Sequence, residues 1–351
     1  MIERRWWIVV AASAAHSVNT GLSYFGISAY FPSFEREFGW SRTAISGAFS
    51  LARIESGILG PFEGYLTDRL GPPRMMFMGI ILTALGFFSL SMINSLPMLY
   101  AALILGIVLG SSLGYNMPLS VVIANLFRAR RSLAFGIFRV GPGLSGSQPR
   151  AASEPQFTLR EAMSTVSFWT LTIGMALRQM VTEGVSVHFV ILLVDRGWST
   201  EAASGLLGIS ALISAPARLG MGWLGDLLDK RRLIMGLLIS LSFSVFFMGW
   251  TAHPYVFTPF MAIYSLAYGG LASLQEPIRA DYFGTQYFAS IQGMSRSITS
   301  VGIFLGPITA GFFYDLTKSY TIPFTFFAFI GLLSTLSMFL AKPPGVKRPS
   351  S

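Results

Sequence analysis

Arg53, Arg178, Arg218 and Arg296 each stand inside a long apolar stretch, as do His16, Asn19, Tyr115, Asn116, Tyr264 and Tyr268. A charged side chain at mid-membrane costs about 2.5–3.5 kcal/mol even on the lenient insertion scale, so each such residue is a candidate for function. A guanidinium offers a fixed fork of donors that matches a carboxylate bidentately. The chemistry in view is capture of a small anion within lipid. Packing roles are the alternative: an ion pair between helices, such as Arg218 with Glu55, a hydrogen-bonded buried His16, or tyrosines anchored at the interface. His16 and Asn19, with Ser13, Thr20 and Tyr24 nearby, could also line a cavity, and a histidine titrates near neutral pH. Arg178 and Glu183 are five residues apart and off one face, which points each to a partner on another helix.

The elements that must position these residues are apolar helices. Of 351 residues 52% are hydrophobic and 12% charged, where a soluble domain carries about 25% charged residues. Runs of spanning length fall near 6–31, 42–66, 75–94, 97–124, 166–193, 200–225, 233–252, 254–275, 286–312 and 321–341. These ten spans, with a shorter apolar stretch at 132–146, describe an all-α membrane protein, because helices satisfy their own backbone groups in lipid. The opening residues resemble a secretory leader with Arg4 and Arg5 as its basic part, but the apolar run continues to about Phe31, long enough to span.

The net charge of +9 would suggest nucleic acid in a soluble protein; here the cations sit in short loops, the pattern of cytoplasmic loops. With no Cys and three scattered His, neither a disulfide nor a metal site is expected, and no cofactor is implied. No nucleophile arrangement, phosphate loop or nucleotide-binding domain points to an enzyme or a pump.

A shift of 158 residues lays Gly39-Trp40-Ser41 on Gly197-Trp198-Ser199, and both lead to Gly-x-Leu-x-Asp, at Gly64–Asp68 and Gly222–Asp226. Self-similarity over this distance signals duplicated halves, in a membrane protein those of a transporter. Each copy carries a stripe of small residues: Ser46, Ser50, Arg53, Gly57, Gly60 and Gly64, then Ser204, Gly208, Ala211, Ala215, Arg218 and Gly222. Steps of three and four keep each stripe on one face, which suits close helix packing.

Gly64-x-Leu66-x-Asp68-Arg69-x-Gly71-x-x-Arg74 resembles the loop motif between helices 2 and 3 of the major facilitator superfamily, and Gly222-x-Leu224-x-Asp226 with Lys230-Arg231-Arg232 resembles its weaker echo. Phe38-Gly39-Trp40-Ser41-Arg42, Ala280-Asp281-Tyr282-Phe283-Gly284, Gly306-Pro307 and Ala341-Lys342-Pro343-Pro344 are similar to stretches of the monocarboxylate porters and the oxalate:formate antiporter group. The resemblance implies a two-half bundle that carries small organic anions, mono- or dicarboxylates, with a proton or a counter-anion. It implies that Arg218, four residues before the motif glycine, serves the substrate carboxylate. It also implies that Asp68 and Asp226 steady an outward-facing state. Departures are visible: the aspartate those porters keep four residues before this arginine is Ser214, their first-helix lysine has no counterpart, and Arg296 only roughly matches the antiporters' lysine.

The halves are unequal. Residues 1–146 hold four spans and the stub, 147–165 read as a central cytoplasmic loop, 166–341 hold six spans and 342–351 a cytoplasmic tail. Against the family pattern most of helix 5 and all of helix 6 are missing. Charge agrees: Arg4, Arg5, Arg69, Arg74, Arg128, Arg130, Arg131, Lys230, Arg231, Arg232, Lys342, Lys347 and Arg348 share one side only if an even number of crossings separates 131 from 166. The stub, with Arg139 and several glycines, is expected to be interfacial or re-entrant, or a truncated fifth helix.

Overall fold

A computed structural model describes residues 4–20, 22–23, 34, 37–40, 59–127, 130–140, 156–251 and 253–344. The helices are α1 (Arg4–Thr20), α2 (59–70), α3 (Pro72–Ser91), α4 (Leu96–Leu126) and α5 (Arg131–Val140). After them come a short α6 (Leu159–Met163), α7 (Val166–Asp195), α8 (Thr200–Leu227), α9 (Lys230–Trp250), α10 (Pro254–Phe283), α11 (Phe288–Thr317) and α12 (Thr321–Leu340). Eight of these, rather than the ten expected, are long and apolar enough to cross a membrane among the described residues. The shortfall lies at the first two spans: the apolar part of α1 covers only Trp6–His16, and most of 42–66 is outside the described residues.

The helices start where local chemistry dictates. The hydroxyls of Thr165 and Ser199 accept from the backbone N–H of Phe168 and Ala202 at 3.1 Å each, and Asp229 accepts from Arg232 N–H at 2.8 Å, so α7, α8 and α9 begin with satisfied donors. Gly71 takes φ 81°, which a side chain would strain, and Pro72 then opens α3. Two arginines serve the opposite ends. Arg196 donates to the carbonyls of Met248 and Gly249 at 2.6 and 2.5 Å where α9 stops, and Arg231 to that of Met338 at 3.1 Å where α12 stops. Each supplies donors and positive charge to carbonyls that have no partner within the helix.

Two compact units result. Unit 1 is made of the described residues within Met1–Arg128 and Thr285–Ser297; unit 2 of those within Ala129–Val140, Gln148–Gly284 and Ile298–Ser351. Each therefore takes in a helix segment from far along the chain: the start of α11 in unit 1, and α5 in unit 2.

In unit 1, α3 and α4 meet backbone to backbone, for a Cβ on Gly79 would lie 2.1 Å from the nitrogen of Gly114. In unit 2, α9 packs on α12, α7 on α12, and α8 on α10. The last seam is polar and small: Ser210 and Ser265 hydroxyls lie 2.7 Å apart, and a Cβ on Gly269 would meet the Ser214 carbonyl at 2.3 Å. Where lipid offers no hydrophobic gain, such close approach and interhelical hydrogen bonds supply the association. The expected stripe on α8 is not this seam. Ser204, Gly208 and Ala211 are exposed, and only its lower end, at Gly222, is buried.

The stub is a ten-residue helix with Ser132, Ala134, Phe135, Ile137 and Phe138 buried, packed on α8 and α10. Those contacts make it part of the bundle of unit 2. A paired substitution tests the α8–α10 seam. Gly269→Val should cost about 1–3 kcal/mol by overpacking and lower the melting temperature in detergent. Gly208→Ala, with nothing within 4 Å of its Cβ, should leave it unchanged or raise it.

Candidate functional site

The two copies of the Gly-x-x-x-Asp motif make the same contact, one in each unit. Gly64 and Asp68 are one turn apart on α2, so they share a face. A Cβ on Gly64 would lie 2.2 Å from the Ala289 carbonyl. That closeness lets Asp68 reach the first turn of α11: it accepts from the Ala289 N–H at 3.3 Å, the Ser290 N–H at 2.9 Å and the Ser290 hydroxyl at 2.6 Å. In unit 2, a Cβ on Gly222 would lie 2.7 Å from the Ser132 carbonyl, and Asp226 accepts from the N–H groups of Ser132 and Leu133 at 2.8 Å each.

A carboxylate at a helix N-terminus satisfies orphan donors and meets the positive end of the dipole, worth about 0.3–1 kcal/mol when exposed and up to ~2 kcal/mol when partly buried. Burial pushes the Asp68 carboxyl above the usual carboxylate range, while its bonds from Ser290 and Ala289 pull it back down.

Three of the motif's arginines do not complete these caps. Arg69, Arg74 and Arg232 are exposed, and among the described residues Arg69 reaches the Tyr65 hydroxyl, at 3.4 Å. The charge work in unit 2 belongs to Asp281 at the end of α10, which takes Arg131 Nη1 on one oxygen and Lys230 Nζ on the other, both at 2.8 Å. Arg131 is 1% exposed, so this pair is buried on one side. Its partners are 150 residues apart, and no local spacing announces them.

The interior of unit 2 holds Arg218, half-buried on α8, and Tyr268, half-buried on α10 and stacked on Tyr264 at 6.2 Å. Tyr264 is buried, and its hydroxyl donates to the Thr182 carbonyl at 3.4 Å. It also holds Arg178, 3% exposed on α7, whose Nη2 donates to Gln275 Oε1 at 3.0 Å and to Gln179. His188 ties helices together, between the Tyr320 hydroxyl at 2.9 Å and the Pro307 carbonyl at 3.1 Å.

In unit 1, Asn19 is buried and its Oδ1 accepts from the hydroxyls of Ser111 and Ser23 at 3.0 and 3.3 Å. One residue on, Ser112 donates to Glu63 Oε2 at 2.6 Å, and Glu63 is fully buried. Sequence reasoning passed over this acid because it adjoins the motif glycine; its place at the edge of an apolar span was the available signal. Tyr115 and Asn116 follow on α4, half-buried, in a π-helical turn over Ser112–Asn116. His16 is half-buried on α1. Arg296, half-buried on α11, has its Cβ 3.7 Å from where a Cβ on Gly60 would sit. Arg53 lies outside the described residues. His16, Asn19, Tyr115, Asn116 and Arg296 all belong to unit 1, while Arg218 and Tyr268 belong to unit 2. Among the described residues no cluster of metal-ligating side chains occurs.

The family model of the Major Facilitator Superfamily matches residues 16–147 and 149–351. Among curated proteins, the chain is 26% identical to monocarboxylate transporter 13 of Rattus norvegicus over 393 aligned positions, covering 96% of this chain and 90% of that one. Those 393 positions exceed the chain's 351 residues, so at least 42 positions of the rat protein have no counterpart here. It is also 28% identical to the oxalate:formate antiporter of Oxalobacter formigenes, over 41% of this chain and 34% of that one. Among solved structures, the superfamily transporter FucP in the outward conformation matches with a TM-score of 0.73 at 11% identity, over 97% of this chain and 99% of that one. The human organic anion transporter MFSD10 matches with a TM-score of 0.66 at 15% identity, over 95% and 93%. Duplicated motifs, paired helix caps, apolar helices and a match along nearly the whole sequence agree: this chain is a multi-pass membrane protein that belongs to the Major Facilitator Superfamily of transporters.

Proposed function

We propose that this chain is a secondary active transporter of small organic anions, mono- or dicarboxylates, moved by alternating access together with a proton or against a second anion. The observation that carries the reading is Arg218. It is a half-buried guanidinium on a membrane-spanning helix, on the stripe whose upper residues Ser204, Gly208 and Ala211 stay exposed. Small exposed residues leading to a cation suit a passage for a small anion better than a packing seam. The relatives named for monocarboxylate and for oxalate and formate transport support the same substrate class. A sugar or drug carrier of this fold would have less use for a cation at that depth.

In this reading the arginines at loop ends set both termini in the cytoplasm of a cell or inner membrane. The caps at Asp68 and Asp226 belong to one of the two alternating states, and breaking them contributes to the switch. A second reading is favoured by the 42 or more unmatched positions: a transport-inactive chain that has lost most of helix 5 and helix 6 but kept the scaffold.

Counterflow in proteoliposomes decides between the two. With the purified, monodisperse chain, labelled oxalate, formate or lactate should exchange against unlabelled anion, and failure with every anion would establish the inactive reading. Arg218→Ala should lower kcat/KM about 100-fold, the loss expected for a bidentate charged contact of about 3 kcal/mol, with Arg218→Lys intermediate. The caps can be followed separately, because the chain has no Cys. A single cysteine at Ala289, which is fully buried, should react with maleimide at least about fivefold faster once Asp68→Asn removes the charged acceptor.

A further inference from the structure

We propose that Arg178 is a second anion-binding group, and that with Arg218 it makes a small dicarboxylate the preferred substrate; this rests on the reading of the chain as an organic-anion transporter. Arg178 lies 12 residues into the 30-residue α7, about 18 Å along its axis, at a depth where a cation needs a reason to be. Its partners in the protein are neutral. Nη2 donates to the Gln275 and Gln179 side-chain carbonyls, and Nε, though buried, has no hydrogen-bond partner. Among the described residues no carboxylate comes within 4.0 Å of it. Glu183 is the acid within electrostatic reach, together with the Tyr264 and Tyr268 rings, but five residues along a helix turn it about 140° away. The guanidinium is thus held in place by amides and left with charge and a donor to offer.

Register brings Arg218 to a similar depth. On the α8–α10 seam Ser210 lies against Ser265, and Ser214 against Gly269. One turn further along both helices that register sets Arg218 level with Ser273, two residues short of Gln275, which holds Arg178. The two arginines are therefore within about a helical turn of each other in depth, on α7 and α8, which are in contact. Two guanidinium forks at one depth on neighbouring helices suit a dianion with carboxylates at both ends, whereas a monocarboxylate would occupy only one. Gln275 then acts as a positioning residue, fixing Arg178 without touching substrate.

The test is the selectivity of the full chain in proteoliposomes, measured with oxalate and succinate against formate and lactate. The unaltered chain should prefer the dicarboxylates, and Arg178→Gln should shift the ratio of kcat/KM at least tenfold toward the monocarboxylates, with Arg178→Lys restoring part of it. Gln275→Glu keeps the shape but places a carboxylate on the guanidinium, and should shift the ratio the same way even if Arg178→Gln fails to fold. An unaltered chain that exchanges monocarboxylates alone, or a ratio that neither substitution moves, would overturn the role of Arg178 and leave the transporter reading standing. An unaltered chain that exchanges no anion would remove the transporter reading itself.

Discussion

One interaction organises this molecule: a carboxylate at the end of one helix capping the first turn of another that is distant in sequence. It requires two residue types at a spacing of four. The glycine removes the Cβ that would collide with the neighbour's carbonyl, and the aspartate, one turn on, reaches the N–H groups thereby brought close. Because the contact occurs once in each unit, it incorporates the start of α11 into unit 1 and α5 into unit 2. Its net energy is modest, of the order of 1–2 kcal/mol per cap, which under the proposed alternating access suits a contact that forms and breaks.

The two caps are built differently around the same centre. At Asp226 the neighbourhood is ionic: Asp281 bridges Arg131 and Lys230, and the nearly inaccessible Arg131 begins the very helix that Asp226 caps. Separating it would strand a buried charge, which costs about 3–5 kcal/mol where one partner of such a pair is removed. At Asp68 the extra support is a single hydroxyl, that of Ser290, and the residue opening α11 is Phe288. Unit 2 therefore holds α5 with the stronger latch.

Much of this was legible in the letters. Apolar runs placed the long helices to within a few residues from α3 onward, except at the far end of α10, and the 158-residue repeat singled out both glycine–aspartate pairs because a charged motif inside an apolar chain stands out. What stayed hidden depends on contacts across the sequence. Nothing near Asp281 announces Arg131, 150 residues away, and Arg178 reads as half of a badly spaced pair with Glu183 until Gln275 is seen holding it. The α8 stripe misled in the opposite sense: small residues at helical spacing suggest packing, yet Ser204, Gly208 and Ala211 remain open, because the close approach to α10 runs along Ser210, Ser214 and Gly225.

Amide hydrogen exchange tests the central claim most directly, by reading the first turns of α5 and α11 in membranes. If each cap is what holds its helix start, the amides of Ser132, Leu133, Ala289 and Ser290 are all protected in the unaltered chain. Asp68→Asn then exposes the Ala289 and Ser290 amides alone, and Asp226→Asn those of Ser132 and Leu133 alone. Fast exchange of all four in the unaltered chain, or protection indifferent to the aspartates, would contradict the account.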